Sequence, residues 1–154
     1  DGGSLPVGSS CHVWCNIEVA LEPTDLAGAW EFTRRIDDRL AVETTNITGN
    51  ARFTTGDDAR VKWEERGVWE RPTGPVPVQR TLWIEPRDGG WFVTFEDGRD
   101  FHTWTTDRTV EHPCGSDTYR GVVTPGVDES RWTLEWVARG PEKDYTMRTS
   151  YTRP

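Results

Sequence analysis

Arg34 and Glu65 stand in two runs where apolar and polar residues alternate, and each shares its phase with aromatic residues. In "GAWEFTRRI" that phase is Trp30, Phe32, Arg34 and Ile36; in "RVKWEERGVWER" it is Val61, Trp63, Glu65, Gly67 and Trp69. Alternate residues of a strand face opposite sides. A guanidinium and a carboxylate are therefore expected on the same inward faces as the large rings. Charges do not stay unpaired in a packed interior, so the expectation is an Arg34–Glu65 ion pair. Two chemistries are open to such a pair: fixing strand register, or holding a carboxylate, carbonyl or enolate of a ligand.

Other side chains have acid–base chemistry. His102 and His112 carry imidazoles that titrate near neutral pH. His102 alternates with Phe101 and Thr103 after the turn in "EDGRDF", a phase that would turn it outward. Tyr119 and Tyr145 could offer phenol donors to a cavity, or belong to surface pairs with Asp117, Arg120, Lys143 and Asp144. Arg34, Glu65, Tyr119, Tyr145 and His102 form the catalytic candidate set. The ligand-binding set is Phe32, Trp63, Trp69, Trp91, Phe95, Trp136 and Met147. Cys11, His12, Cys15, His112 and Cys114 could in principle gather round zinc. The three residues between Cys11 and Cys15 lie in a strand-like run with no second close cysteine pair, so no metal is expected. No cofactor is expected either: there is no phosphate-binding loop, dinucleotide fingerprint or Gly-x-Ser-x-Gly. Cys114, beside Pro113, is the one weak nucleophile candidate.

Composition narrows the partners. The 154 residues carry a formal charge of -8 with no basic run, which argues against a nucleic-acid backbone. No apolar stretch approaches the roughly 20 residues that cross a bilayer as a helix, so membrane insertion is not expected. The partner expected is a hydrophobic small molecule; a homodimer stays open. An odd count of three cysteines fits a reduced, cytoplasmic setting, while a Cys11–Cys114 or Cys15–Cys114 bridge would fit export. Only 34% of the chain is hydrophobic, yet nine tryptophans supply large apolar surfaces to a core.

The elements that must position these residues are strands. Runs of period two recur from "GAWEFTRRI" to "DYTMRTSYTR", separated by Gly56-Asp57-Asp58, Pro72-Thr73-Gly74-Pro75, Asp88-Gly89-Gly90, Asp97-Gly98 and similar turn pairs. No segment reads as a long amphipathic helix. The expectation is an all-β, antiparallel up-and-down barrel of about eight to nine strands over residues 25–154. Residues 1–24 form an N-terminal arm, either a lid over the barrel mouth or an extra strand. "EPTDLAG" predicts a turn or a single 3₁₀ turn ahead of the first barrel strand.

Gly28-Ala29-Trp30 at the head of the first strand resembles the Gly-x-Trp of lipocalins and the wider calycin group. The resemblance implies that Trp30 plugs a closed end, with a late arginine (Arg148 or Arg153) stacked on it. "LAGAWEFTRRIDDR", "FEDGRDFH", "EHPCGSDTYR" and "GPEKDYTMRTSYTR" are also similar to an uncharacterised, mostly bacterial calycin-like domain family, from about Asp25 to Arg153. That family implies a fold and no activity. Two function classes follow. One is a cofactor-free cyclase or isomerase, of the cycloaddition type found in natural-product biosynthesis, holding a hydrophobic polyketide-like chain in a reactive shape. The other is a lipocalin-type carrier or sensor that returns its ligand unchanged. A third, an interaction module using exposed indoles, would show large apolar surface patches.

Overall fold

The computed structural model describes residues 21–154. Ten strands follow one another: β1 (Gly28–Asp38), β2 (Glu43–Thr55), β3 (Val61–Arg71), β4 (Gly74–Arg87) and β5 (Gly90–Phe95), then β6 (Asp100–Trp104), β7 (Val110–Cys114), β8 (Asp117–Pro125), β9 (Arg131–Gly140) and β10 (Lys143–Thr152). They make one antiparallel sheet in the order β6-β5-β4-β3-β2-β1-β10-β9-β8-β7. Every neighbour but one pair is a hairpin partner; the exception is β1 with β10, where Phe32 pairs with Tyr151 and Arg34 with Thr149. That pairing of first and last strands curls the sheet into a nearly closed barrel. The strand beyond the expected eight to nine is β7, "VEHPC", too short and too interrupted by Pro113 to show a period of its own.

One end of the barrel is sealed. A 3₁₀ turn (Pro23–Leu26) precedes β1, as "EPTDLAG" predicts, and buries Pro23 and Leu26. The Trp30 indole donates to the Leu26 carbonyl at 2.8 Å, and the Trp104 indole to that of Leu21 at 2.9 Å. Above this cap lie Trp63, Trp132, Phe53 and Tyr151, all fully buried. Trp132 stacks on Tyr151 with centroids 3.9 Å apart, and Trp30, Trp63 and Trp104 meet Trp132 edge-on. Four indoles and two other rings thus fill this half of the barrel. Truncating any one to alanine would cost about 3–5 kcal/mol.

The arginine on Trp30 is Arg153, whose guanidinium carbon lies 3.9 Å from the ring centroid. Its nitrogens also donate to the carbonyls of Ala27 (3.0 Å), Ala29 (3.3 Å) and Asp25 (3.1 Å). Arg148 sits on the outward phase of β10 and pairs loosely with Glu135. The late arginine therefore acts as a latch, tying the end of the chain to the cap and the first strand.

Among the described residues, β6 and β7 share no backbone ladder, and side chains bridge the seam between them. Phe101 lies flat between Phe95 (4.4 Å) and Trp136 (5.1 Å), with the His112 ring against its edge. Trp136 reaches this position because its cross-strand partner is Gly121, where a Cβ would fall 2.7 Å from the indole. At the sealed end the chain beyond β6 rejoins the sheet, Asp107 donating to the Val123 carbonyl at 2.8 Å.

His102 departs from its expected outward phase. Val93 pairs with His102 but Thr94 pairs with Asp100, so Phe101 is an extra residue in β6. A bulge of this kind shifts the parity of the strand. Phe101 and His102 both turn inward, and the imidazole is buried.

The latch is open to direct test. Arg153→Ala should lower unfolding stability by about 1–2 kcal/mol, from one cation–π contact and a set of partly exposed hydrogen bonds. Arg148→Ala should stay within about 0.5 kcal/mol of the parent. Urea midpoints of the two variants check this; equal effects would mean Arg153 does not latch the cap.

Candidate functional site

Midway along the barrel the aromatic filling gives way to a polar floor centred on Glu65. The Glu65 carboxylate accepts from four donors on four strands. Oε1 receives Arg34 Nη2 at 2.8 Å and Arg80 Nε at 2.7 Å. Oε2 receives Trp63 Nε1 at 3.1 Å and the Tyr151 hydroxyl. Arg34 is held further by Nε donating to Thr149 Oγ1 at 2.7 Å and Nη2 to the Tyr151 oxygen at 3.3 Å. The strand phases predict the Arg34–Glu65 pair. Thr149 and Tyr151, on the inward phase of Met147 in β10, and Arg80 complete the cluster. Arg80 was visible in principle, because it shares the phase of Val78, Leu82 and Ile84 in β4.

The electrostatics follow from this geometry. Burial alone would raise the Glu65 carboxyl, but the charges of Arg80 and Arg34 and the Tyr151 hydrogen bond overcome it and hold the group down at about 2. Burial and the Glu65 charge push the Tyr151 phenol well above its ordinary range. Glu65 is thus a fixed anion with each oxygen already taking two donors. A carboxylate so occupied has no acceptor site free for a substrate proton.

A cavity of about 80 Å³ lies on this floor, lined by Phe32, Arg34, Ile47, Glu65, Gly67, Val78, Gln79 and Arg80. At about 30 Å³ per liquid water this admits two or three waters. Toward the end opposite Trp30, the inward positions become half-buried apolar residues: Ile36, Trp69, Val78, Phe95, Phe101 and Met147. An open bowl at this end is lined by Arg80, Leu82, Phe95 and Phe101 with the β5–β6 turn, and Ile36, Trp69, Val78 and Met147 lie toward the same end, packed against the core. Thr45 anchors the Trp69 indole there, accepting from its Nε1 at 2.9 Å.

The remaining candidates divide by depth. Phe32 lines the cavity and Phe95 the bowl, while Trp69 and Met147 are half-buried toward the same end. Trp63 is fully buried and serves the floor through its indole nitrogen, and Trp136 closes the seam. Trp91, at the start of β5, faces Trp104 at the sealed end and is not brought to the cavity. Its phase is inward, but strand direction places it beyond the aromatic plug. Tyr119 and Tyr145 stand at the open rim, away from the Arg34–Glu65 pair. Lys143 donates to the Tyr119 hydroxyl at 2.7 Å and lies 3.2 Å from Asp117. Burial and the neighbouring Tyr119 push the Tyr145 phenol up to about 12.

His102 lies against Trp136, its Nδ1 2.9 Å from the Thr103 carbonyl oxygen. A carbonyl only accepts, so Nδ1 carries the proton of a neutral ring. Burial, aided by the Arg80 and His112 charges, lowers the imidazole to about 4 against the weaker pull of Thr103. Among the described residues no group of acidic, histidine and cysteine side chains is arranged to hold a metal ion. Cys114 is exposed and has no disulfide partner among the described residues, while residues 1–20 of the arm, with Cys11, His12 and Cys15, lie outside them. No helix among the described residues is long and apolar enough to cross a membrane.

Fold and floor together define a calycin-like barrel, plugged at one end by aromatic rings and open at the other over a charged cluster. The chain belongs to the family of unknown function DUF6314, which matches residues 26–153. No curated protein matches it. Among solved structures it is similar to the S-type phycobiliprotein lyase CPES from Guillardia theta. That likeness has 7% identity and a TM-score of 0.61, covering 86% of this chain and 90% of that one. It is also similar to a protein of unknown function from the DUF3598 family of Nostoc punctiforme, at 10% identity and a TM-score of 0.55. There the match covers 86% of this chain and 48% of the other. At these identities the likeness is one of fold.

The cluster and the buried imidazole predict two stability effects. Glu65→Gln leaves Arg34 and Arg80 facing each other without their anion, and should cost about 3–5 kcal/mol in urea unfolding. Acid should also weaken the parent protein in two stages. Between pH 6.5 and 4 the unfolded chain protonates His102 while the folded chain refuses the proton, so stability falls as pH falls. From 4.5 toward 2 Glu65 adds the same sign of dependence. Unfolding midpoints across this range should slope in the parent and flatten between 6.5 and 4 in His102→Phe. A flat parent profile there would rule out a buried neutral His102.

Proposed function

We propose that this barrel binds one small, mainly apolar molecule in the bowl at its open end. A polar group of the ligand rests on the Arg34–Glu65–Arg80 floor, and the ligand is released unchanged. The reading is carried by the saturated Glu65: the charged centre of the interior is built to hold two guanidiniums in place. Apolar walls with a few convergent polar groups are the usual make-up of a small-molecule site. The aromatic plug keeps the ligand to one half of the barrel.

This places the carrier or sensor ahead of the cyclase. His102, a base of about pKa 4 buried in the seam, and Glu65, fully engaged, leave no evident acid–base pair at the floor. A cycloaddition needs no such pair, since orientation and one hydrogen bond to a carbonyl suffice. The cyclase reading therefore survives in that form alone, with Arg80 as the carbonyl donor.

The neutral fluorophore N-phenyl-naphthylamine tests the binding reading. It should bind the full chain saturably at one site, with quenching of tryptophan emission. Val78→Glu, which puts a carboxylate on the cavity wall, should weaken it by about tenfold or more. Molecules captured from a lipophilic cell extract and recovered by denaturation should match the input compounds by mass and retention. Recovery of an isomer of equal mass and altered retention would shift the assignment to a cyclase. Failure of the fluorophore to bind would mean that the rings and the narrow floor leave no usable site.

A further inference from the structure

Resting on the binding reading above, we infer that the ligand is an anion, an apolar molecule ending in a carboxylate that docks on Arg80 and Arg34. The floor holds two guanidiniums and one carboxylate, an excess of one positive charge. Glu65 has no acceptor capacity left, since each oxygen already takes two donors. The guanidiniums do have donors left. Arg34 uses Nε and Nη2, and Arg80 uses Nε on Glu65 with the Tyr151 hydroxyl as a second neighbour; of five N–H groups on each guanidinium, some are left over among the described residues. A guanidinium presents its N–H groups in a planar fork that matches a carboxylate.

Position supports the same ligand. Arg34 is 9% exposed and Arg80 31%, and both line the cavity. Arg80 is also fixed from below, its guanidinium carbon 5.2 Å from the Trp63 ring centroid. The excess charge therefore sits on the bowl side of the floor, where one face meets water and the other meets aromatic rings. A cavity of about 80 Å³ is too small for a whole hydrophobic ligand and large enough for a carboxylate with its first carbons. The remainder would lie along Val78, Phe95 and Phe101, which are half-buried beside Arg80. The chain is acidic overall, at -8, so long-range attraction does not select an anion. Selection comes from the local excess.

Competition between two ligands of equal length separates the charge from the binding itself. Decanoate and decanamide are titrated against N-phenyl-naphthylamine bound to the full chain at pH 7.5. Decanoate should displace the fluorophore at concentrations at least about tenfold lower than the amide. In Arg80→Gln the ratio of the two affinities, read within the same protein, should collapse to about one. A thermal melt confirms that the variant is folded, and the comparison in the parent protein stands without it. Equal displacement by acid and amide in the parent overturns the anion assignment and leaves the binding reading intact. A preference for decanoate that survives in Arg80→Gln moves the anion away from this floor and overturns the site. If the fluorophore does not bind the parent at all, the binding reading fails first.

Discussion

Four donors from four strands converge on the Glu65 carboxylate, and the interior of the barrel is arranged around that convergence. A buried carboxylate is costly unless its oxygens are paired and hydrogen-bonded. Arg34 from β1, Trp63 from β3, Arg80 from β4 and Tyr151 from β10 meet that demand. The set links both sides of the β1–β10 closure through one anion. It also fixes where the aromatic filling stops, because Trp63 and Tyr151 contribute their rings to the plug and their polar atoms to the floor. A one-residue slip of any of these strands would turn its donor outward, so the cluster is a register device as well as a surface on which a ligand can rest.

The two halves of the barrel consequently do different work. On the side of Trp30 the rings are packed edge-to-face and flat, and Arg153 latches the cap. On the other side the same inward phases carry half-buried aliphatic and aromatic groups with solvent above them. Packing stability comes mainly from the first half, and the proposed binding belongs to the second. The seam between β6 and β7 joins them. Its Phe95–Phe101–Trp136 stack replaces a missing backbone ladder with side-chain contact, and His102 is drawn into that structural task. This accounts for a buried histidine whose pKa is displaced away from acid–base use.

Much of this was legible in the residues. The alternation of Trp30, Phe32, Arg34 and Ile36, and of Trp63, Glu65 and Trp69, identifies inward faces because the side-chain period of a strand is a local property. Turn pairs mark most hairpins, and the short 3₁₀ turn before β1 follows from Pro23 and the acidic residues beside it. His102 was misplaced because one bulged residue, Phe101, reverses strand parity, and nothing in "RDFHTW" distinguishes a bulged strand from a regular one. Trp91 was misplaced for another reason: its phase is right, but phase does not say at which end of the barrel a residue sits.

Local chemistry thus determined the strands, their inward faces, the aromatic core and the presence of an internal Arg34–Glu65 pair. Tertiary structure alone decided that Arg80 and Tyr151 complete it and that Arg153 rather than Arg148 caps Trp30. It also set the free space at a small recess under an open bowl. The reason is physical. Which face a side chain occupies depends on its own strand, whereas which groups meet across a barrel depends on the register of all ten strands and on where the sheet closes.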